Sequence, residues 1–454
     1  MLSPSLRIKQ YIKQQPGQAR LLATAFLALT LSILAGCNSA GSPQGNASPV
    51  PLPSASAATP LPSVIPSPTD KTTTPPRNEE APAQTAGNND PVALRIAAMT
   101  LEDKIGQMLL VGIDGTQPDP ETQRMIAEDK VGGIILYADN INGLDGMVSL
   151  VNALKQSNKG NPIPLFMSVD QEGGKVSRMP EEYASIPANG KVGRTNDPQS
   201  ARMMGSLLAR QVLAAGFNMN FAPVLDINSN PDNPVIGDRS FGSNASLVTK
   251  LGIAEMKGIE SEGVVPVVKH FPGHGDTSVD SHLELPVVNK TAAELSKLEW
   301  LPFQAAIKEN AAAVMVAHIL FPQLDKDKPA SLSPIIIGEQ LRGVMGYQGV
   351  VITDDLTMGA ILKNYDLAEA AVDTVQAGSD ILLIAHEYSN ERKVREALLL
   401  SVRNGTIAES RIDESVYRIL SLKARYALSD EPVAVPDLNK LNKDVVNWSH
   451  TIPE

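Results

Sequence analysis

Residues 264–286 read VVPVVKHFPGHGDTSVDSHLELP. The apolar, β-branched run Val264–Val268 has the composition of a strand buried on both faces, and it ends on the polar pair Lys269-His270. A loop rich in Gly and Pro follows, carrying His274, Asp276, Asp280 and His282, so that three of the six histidines fall between positions 270 and 282. A buried strand that delivers charged residues into a glycine loop reads as the rim of an active site. Two chemistries suit it. One is acid/base work by a carboxylate and an imidazole; the other is a zinc site drawn from His270, His274, Asp276, Asp280 and His282. His-x3-His places ligands together on a helix, but Pro272 and Gly273 lie between His270 and His274, so no helix sets that spacing.

The same pattern, an apolar run ending in polar residues, recurs along the chain. The runs are Ile105–Gly115, Val131–Ala138, Ile163–Gln171, Asn218–Ile227, Val264–His270, Ala312–Leu320, Gly349–Asp355 and Ser379–Ala385. Amphipathic windows alternate with them, among them Pro120–Lys130, Ala201–Ala215, Leu247–Ser261, Ala293–Asn310 and Leu367–Ala377. Two more, Ser389–Arg403 and Glu409–Tyr426, follow the eighth run. Eight such units predict a (β/α)8 barrel of the TIM type, one catalytic domain over residues 91–430. A doubly wound open sheet would carry a phosphate-binding glycine turn after its first strand, and no GxGxxG or P-loop follows any of these runs. Residues 431–454 read as a short, polar extension packed on the surface.

The N-terminal region is of another kind. Arg7, Lys9, Lys13 and Arg20 precede the apolar segment Leu21–Leu34, and Leu34-Ala35-Gly36-Cys37 closes it. This is the layout of an export signal over residues 1–36, too short for a comfortable membrane span. The tetrapeptide resembles the lipobox of bacterial lipoproteins, which implies that Cys37, the chain's only cysteine, becomes an acylated N-terminus. The expected location is therefore outside the cytoplasm, lipid-anchored to the outer face of a bacterial membrane. Residues 37–90 are almost entirely Ser, Pro, Ala, Thr and Gly and read as a disordered tether. Removing residues 1–36 takes away four positive charges and no negative ones, so the net charge of −11 becomes −15. With no basic stripe and only 4% aromatic residues, a nucleic-acid partner is not expected.

Polar residues crowd the C-terminal ends of the runs: Asp170-Gln171-Glu172 and then Arg178, Asp226 and then Arg239, Lys269-His270, His318, and Thr353-Asp354-Asp355. In a barrel these ends converge on one face, where catalytic residues sit. A single one could be a structural ion pair; five strands ending this way point to a site.

The segments DQEGGKVSR, IGDRSF, KHFPGHGDTSVDSH and ITDDLTMGA, in this order, resemble those of the bacterial β-N-acetylglucosaminidases of glycoside hydrolase family 3, over essentially all of Pro91–Tyr426. The resemblance implies a barrel, a retaining mechanism and N-acetylhexosaminide substrates; no metal or cofactor is expected. It implies Asp354 as the nucleophile; Asp355 is the alternative, and strand alternation lets only one of the two look into the barrel mouth. It implies His282 with Asp280 as the acid/base pair, the carboxylate favouring the imidazolium, on a segment expected to be extended so that residues i and i+2 share a face. Asp170, Arg178, Arg239, Lys269 and His270 are implied in sugar binding. His274 is expected to shape the loop, and His318 to line the pocket floor or pack in the core. The loop's glycines suggest that it is mobile.

The expected reaction is exo-hydrolysis of terminal β-linked N-acetylglucosamine from peptidoglycan fragments or chitooligosaccharides, by a monomer. A β-glucosidase of the same broad family is the nearest alternative. Such enzymes generally take their acid/base from a Glu on a second domain, whereas here the barrel supplies its own Asp-x-His loop. A zinc-dependent hydrolase and a non-catalytic sugar-binding lipoprotein are the alternatives of other classes.

Overall fold

The computed structural model describes residues 90–453; the segment expected as an export signal, Cys37 and all of the expected tether except Asp90 lie outside the described residues. Eight parallel strands close into a barrel in chain order. They are β1 (Leu109–Val111), β2 (Gly133–Leu136), β3 (Phe166–Val169), β4 (Met219–Asn220), β5 (Val265–Phe271), β6 (Ala313–Val316), β7 (Val350–Asp355) and β8 (Ile381–Ile384). The ring closes through β1 on β8, with Leu109 opposite Leu382 and Val111 opposite Ile384. Each strand falls on one of the eight apolar runs, β5 reaching one residue past its run to Phe271, and the (β/α)8 architecture follows from them. Every strand residue is buried except Asp354. Continuous burial, in place of alternation, is what a sheet covered on both faces requires.

β4 is the shortest strand because Pro223 has no N–H to give to a ladder. Pairing resumes beyond it: the Lys269 N–H donates to Pro223 O (3.1 Å) and the Leu225 N–H to Lys269 O (2.6 Å). This second contact brings Asp226 alongside His270, and so places a polar pair at the barrel mouth.

Several helices start where the sequence offers both a side-chain cap and a proline. Asp119 before Pro120 and Asp197 before Pro198 each accept first-turn N–H groups. The window Ala293–Asn310, expected as one helix, is two: Ala292–Leu295 and Leu301–Lys308. The first is closed by the Trp300 N–H returning to Leu295 O (2.9 Å). Pro302 suits only the first turn of a helix, so the second starts there.

The C-terminal extension is an amphipathic helix, Asn439–Ser449, and not merely polar. Leu441, Val445 and Trp448 are buried at i, i+4 and i+7, a stripe easily overlooked among Asn and Lys. Asn442 accepts from the Ala184 N–H (2.8 Å) and donates to Glu182 O (2.8 Å), while Asp444 pairs with Arg210 (2.7 Å). The helix therefore fastens the long loop after β3 to the helix Pro198–Ala214. Trp448→Ala should cost about 3 kcal/mol of unfolding free energy, read as a shifted urea midpoint, whereas exposed Lys443→Ala on the same helix should leave it unchanged.

Candidate active site

A cavity of 410 Å³ opens at the C-terminal ends of the strands. Asp170, Arg178, Arg239, Lys269, His270, His282 and Asp354 all line it; Asp280 stands just behind His282. Ile135, Phe221, Met315 and Leu383, from β2, the end of β4, β6 and β8, supply its apolar wall.

One side of the cavity is a cluster of four charges. The buried Lys269 ammonium lies 2.5 Å from Asp170 Oδ1 and 2.7 Å from Glu172 Oε1. Arg239 grips Glu172 through two bonds, Nε to Oε2 (2.8 Å) and Nη2 to Oε1 (2.7 Å). Burial alone would protonate Glu172, but the Arg239 and Lys269 charges outweigh it and hold the carboxyl well below its usual range. Burial likewise works against the Lys269 charge, and Asp170 and Glu172 raise its pKa all the same.

Beside this cluster, Asp226 is fully buried and organises the turn out of β5. It accepts from His270 Nδ1 (2.6 Å) and from the backbone N–H groups of His270 (3.3 Å) and His274 (2.6 Å). Burial opposes its charge; the His270 imidazole and these donors prevail and hold its pKa down. With Nδ1 engaged, His270 Nε2 is the atom beside Arg239 Nη2, at 3.4 Å. Arg178 is different: it makes no ion pair among the described residues, and its buried Nε has no hydrogen-bond partner.

At the end of β7 the ladder to β8 slips between Ile352 and Asp355. Simple alternation therefore fails, and both Asp354 and Asp355 reach the cavity wall. Their surroundings separate them. Asp355 accepts from the Thr357 N–H (2.9 Å), Thr357 Oγ1 (2.7 Å) and the Ala385 N–H (3.0 Å), and burial pushes its pKa up. Among the described residues Asp354 accepts only the Asp355 N–H (2.9 Å). Burial would raise its pKa too, but the imidazoles of His318 and His270 and that N–H bring it below the usual carboxylate range. Asp354 is thus the ionised, uncommitted carboxylate. His318 is buried and donates through Nε2 to Asp355 O (2.9 Å) while Nδ1 meets Ser331 Oγ (2.7 Å); it braces the strand end and does not line the cavity.

The β5 loop crosses the mouth. Its base is fixed: Asn233 Nδ2 donates to His274 O (2.9 Å), and Asp276 pairs with Lys290 (2.9 Å). Gly275 serves close approach here, since a Cβ at that position would lie 1.7 Å from Ile227 O. His274 is buried between Thr277 Oγ1 (2.9 Å) and Ser281 Oγ (3.1 Å), tying the loop's far limb to its start. Burial first, and then the His270 charge, lower its pKa to about 4, so its ring is neutral. The segment Asp280–His282 is not extended, contrary to expectation. Asp280 opens a turn, and its Oδ1 accepts both the His282 N–H (2.9 Å) and His282 Nδ1 (2.7 Å). Asp characteristically bonds its own backbone two residues on, which brings i and i+2 together without a strand. Burial opposes the Asp280 charge, but the His282 backbone and ring keep its pKa lowered.

These commitments bear on the zinc alternative. His270 is held by Asp226, His274 by Thr277 and Ser281, Asp276 by Lys290, and His282 by Asp280, each turned to a different partner. Among the described residues no three His, Cys, Asp or Glu side chains converge as metal ligands would. The residues that the sequence reading left without a role are Glu172, Asp226, Tyr137 and His386. The last two line the cavity after β2 and β8 with ring centroids 5.4 Å apart. The strand-end rule that marked the other five strands would have marked these two as well.

An ionised carboxylate on β7, an imidazole–carboxylate pair on the β5 loop, and fixed cations beside a pocket describe a glycosidase site on a TIM-type barrel. The chain belongs to glycoside hydrolase family 3: the model of the glycosyl hydrolase family 3 N-terminal domain matches residues 100–422. It is 36% identical to beta-hexosaminidase A of Pseudoalteromonas piscicida over 73% of this chain and 58% of that protein, so it spans rather more than half the length of that relative. It is 32% identical to beta-hexosaminidase LpqI of Mycobacterium tuberculosis over 88% of this chain and 96% of that protein. Among solved structures, the family 3 β-N-acetylglucosaminidase of Paenibacillus sp. str. FPU-7 superposes with a TM-score of 0.74 at 41% identity, covering 78% of this chain and 69% of that one.

Because Glu172 pairs at once with the buried Lys269 and the largely buried Arg239, Glu172→Gln should destabilise the fold by about 3 kcal/mol. It should also raise KM, since Lys269 and Arg239 lose their fixed positions. A denaturant midpoint and a KM equal to those of the unaltered protein would contradict this account of the cluster.

Proposed function

We propose that this chain is a retaining, exo-acting β-N-acetylhexosaminidase that releases terminal β-linked N-acetylglucosamine from peptidoglycan fragments or chitooligosaccharides. The observation that carries the reading is that one cavity is lined by both the ionised Asp354 and His282, the latter held from behind by Asp280. Asp354 attacks the anomeric carbon while the glycosidic C–O bond breaks, and the departing oxygen takes the His282 proton. In the second step water attacks the glycosyl-enzyme, gives its proton to His282, and frees Asp354. Asp280 accepts from Nδ1, which leaves Nε2 to exchange the proton. Asp170 and His270 bond ring hydroxyls, Lys269 and Arg239 hold the hydroxyl-binding wall in place, and Arg178, without a carboxylate partner among the described residues, donates to hydroxyls or the N-acetyl carbonyl. The resemblance of residues 34–37 to a lipobox supports export and a lipid anchor at Cys37 on the outer face of a bacterial membrane, with the barrel acting as a monomer.

The β-glucosidase alternative is decided by comparing p-nitrophenyl N-acetyl-β-glucosaminide with the corresponding glucoside; equal kcat/KM would overturn the preference for the acetamido sugar. Asp354→Asn should abolish the covalent intermediate and lower kcat by about 10⁴-fold or more. Labelling of that variant by a fluoro-sugar inactivator at another residue would move the nucleophile. Asp280→Asn removes the carboxylate that holds His282 Nδ1, so kcat/KM should fall by about tenfold or more on glycosides with poor leaving groups and much less on the dinitrophenyl glycoside. Mass spectrometry of products from muropeptides and from chitobiose separates the two natural substrate classes, and loss of alkynyl-palmitate labelling in Cys37→Ser tests the anchor.

A further inference from the structure

The tip of the acid/base loop rests on the chain that leaves β7. Four residues beyond Asp355 the short helix Gly359–Leu362 begins, and its first N–H groups turn toward the loop. The Gly359 N–H donates to His282 O (3.1 Å), the Ala360 N–H to Ser281 O (3.2 Å), and Lys363 Nζ to Leu283 O (2.7 Å). Three consecutive loop carbonyls, centred on His282, are thus held by one segment. The His282 side chain itself is 63% exposed, so little packing of its ring fixes its position. Backbone docking and the Asp280 carboxylate do.

Contact this close requires a glycine. A Cβ at position 359 would lie 2.6 Å from His282 O and 2.7 Å from Leu283 O. Gly359 needs no left-handed backbone, so alanine is compatible with the helix, and the only obstacle to it is the loop.

We propose that Gly359, with Lys363, is a positioning element for the acid/base. It docks the loop on the continuation of the nucleophile strand and so fixes His282 relative to Asp354. The inference rests on the reading of His282 as proton donor and gives that reading a second, separable test. Alanine at 359 should leave the barrel, Asp354 and the sugar-binding wall in place and displace only the loop tip.

The test is kcat/KM across aryl N-acetyl-β-glucosaminides of decreasing leaving-group acidity, for Gly359→Ala, Lys363→Met and His282→Ala, alongside thermal melting of each. With Gly359→Ala the dinitrophenyl glycoside, which needs little acid help, should stay within about threefold, while the phenyl glycoside should fall about 100-fold. Azide, a nucleophile that needs no base, should restore kcat on the dinitrophenyl substrate. Lys363→Met, at an exposed amine, should show the same tilt at about tenfold or less. A folded Gly359→Ala that loses all substrates equally, or none, overturns the docking role. If that variant does not fold, a flat profile for Lys363→Met does so. A flat profile for His282→Ala sinks the acid/base assignment itself, and the docking role with it. A steep His282→Ala profile beside a flat Gly359→Ala one sinks the docking role alone.

Discussion

Four charges, Asp170, Glu172, Lys269 and Arg239, are brought together at the barrel mouth, and the site depends on their being paired. A buried ion without a partner costs several kcal/mol. Lys269 is almost completely out of solvent and would not stay charged there alone. Glu172 is the hinge of the arrangement, because it meets both cations. The ends of β3 and β5 and the loop beyond β4 are therefore locked to one another. A side effect is catalytic: donors frozen by their own ion pairs need no reorganisation when charge develops on a substrate.

The same economy explains the two adjacent aspartates. Asp354 and Asp355 are chemically identical and share a cavity wall, yet their pKa values move in opposite directions. Thr357 and Ala385 occupy Asp355, which makes it a fastener between β7 and β8. Asp354 is left with one backbone donor and stays charged. Environments that push two carboxyls apart assign their roles.

The barrel was legible in the sequence because strands buried on both faces leave continuous apolar runs, and eight of them with helices between admit few other folds. The site's outline was legible for a related reason: polar residues at the ends of such runs must converge. What stayed hidden was anything set by non-local contact. The slip in the β7–β8 ladder defeats alternation at the residue where alternation was invoked. The turn at Asp280 depends on which backbone N–H a carboxylate meets. The helix Asn439–Ser449 buries three apolar residues spread among many polar ones. Tyr137 and His386 are different: they sit at the ends of the second and eighth runs, where the rule applied to the other strands reaches them too.

The loop glycines illustrate how a residue type can be read in two ways. PGHG suggests slack, and the sequence alone gives no reason to think otherwise. In the fold, Gly275 lets the loop's base lie against Ile227 O, and Gly359, outside the loop, lets its tip lie against the β7 extension. Missing side chains are used to bring backbones into hydrogen-bonding range. This suits the chemistry assigned to His282. The group that protonates the leaving oxygen must then deprotonate water arriving at the same point, so it has to hold one position through both steps. An imidazole on a long loop can do that only if the loop is held at both ends.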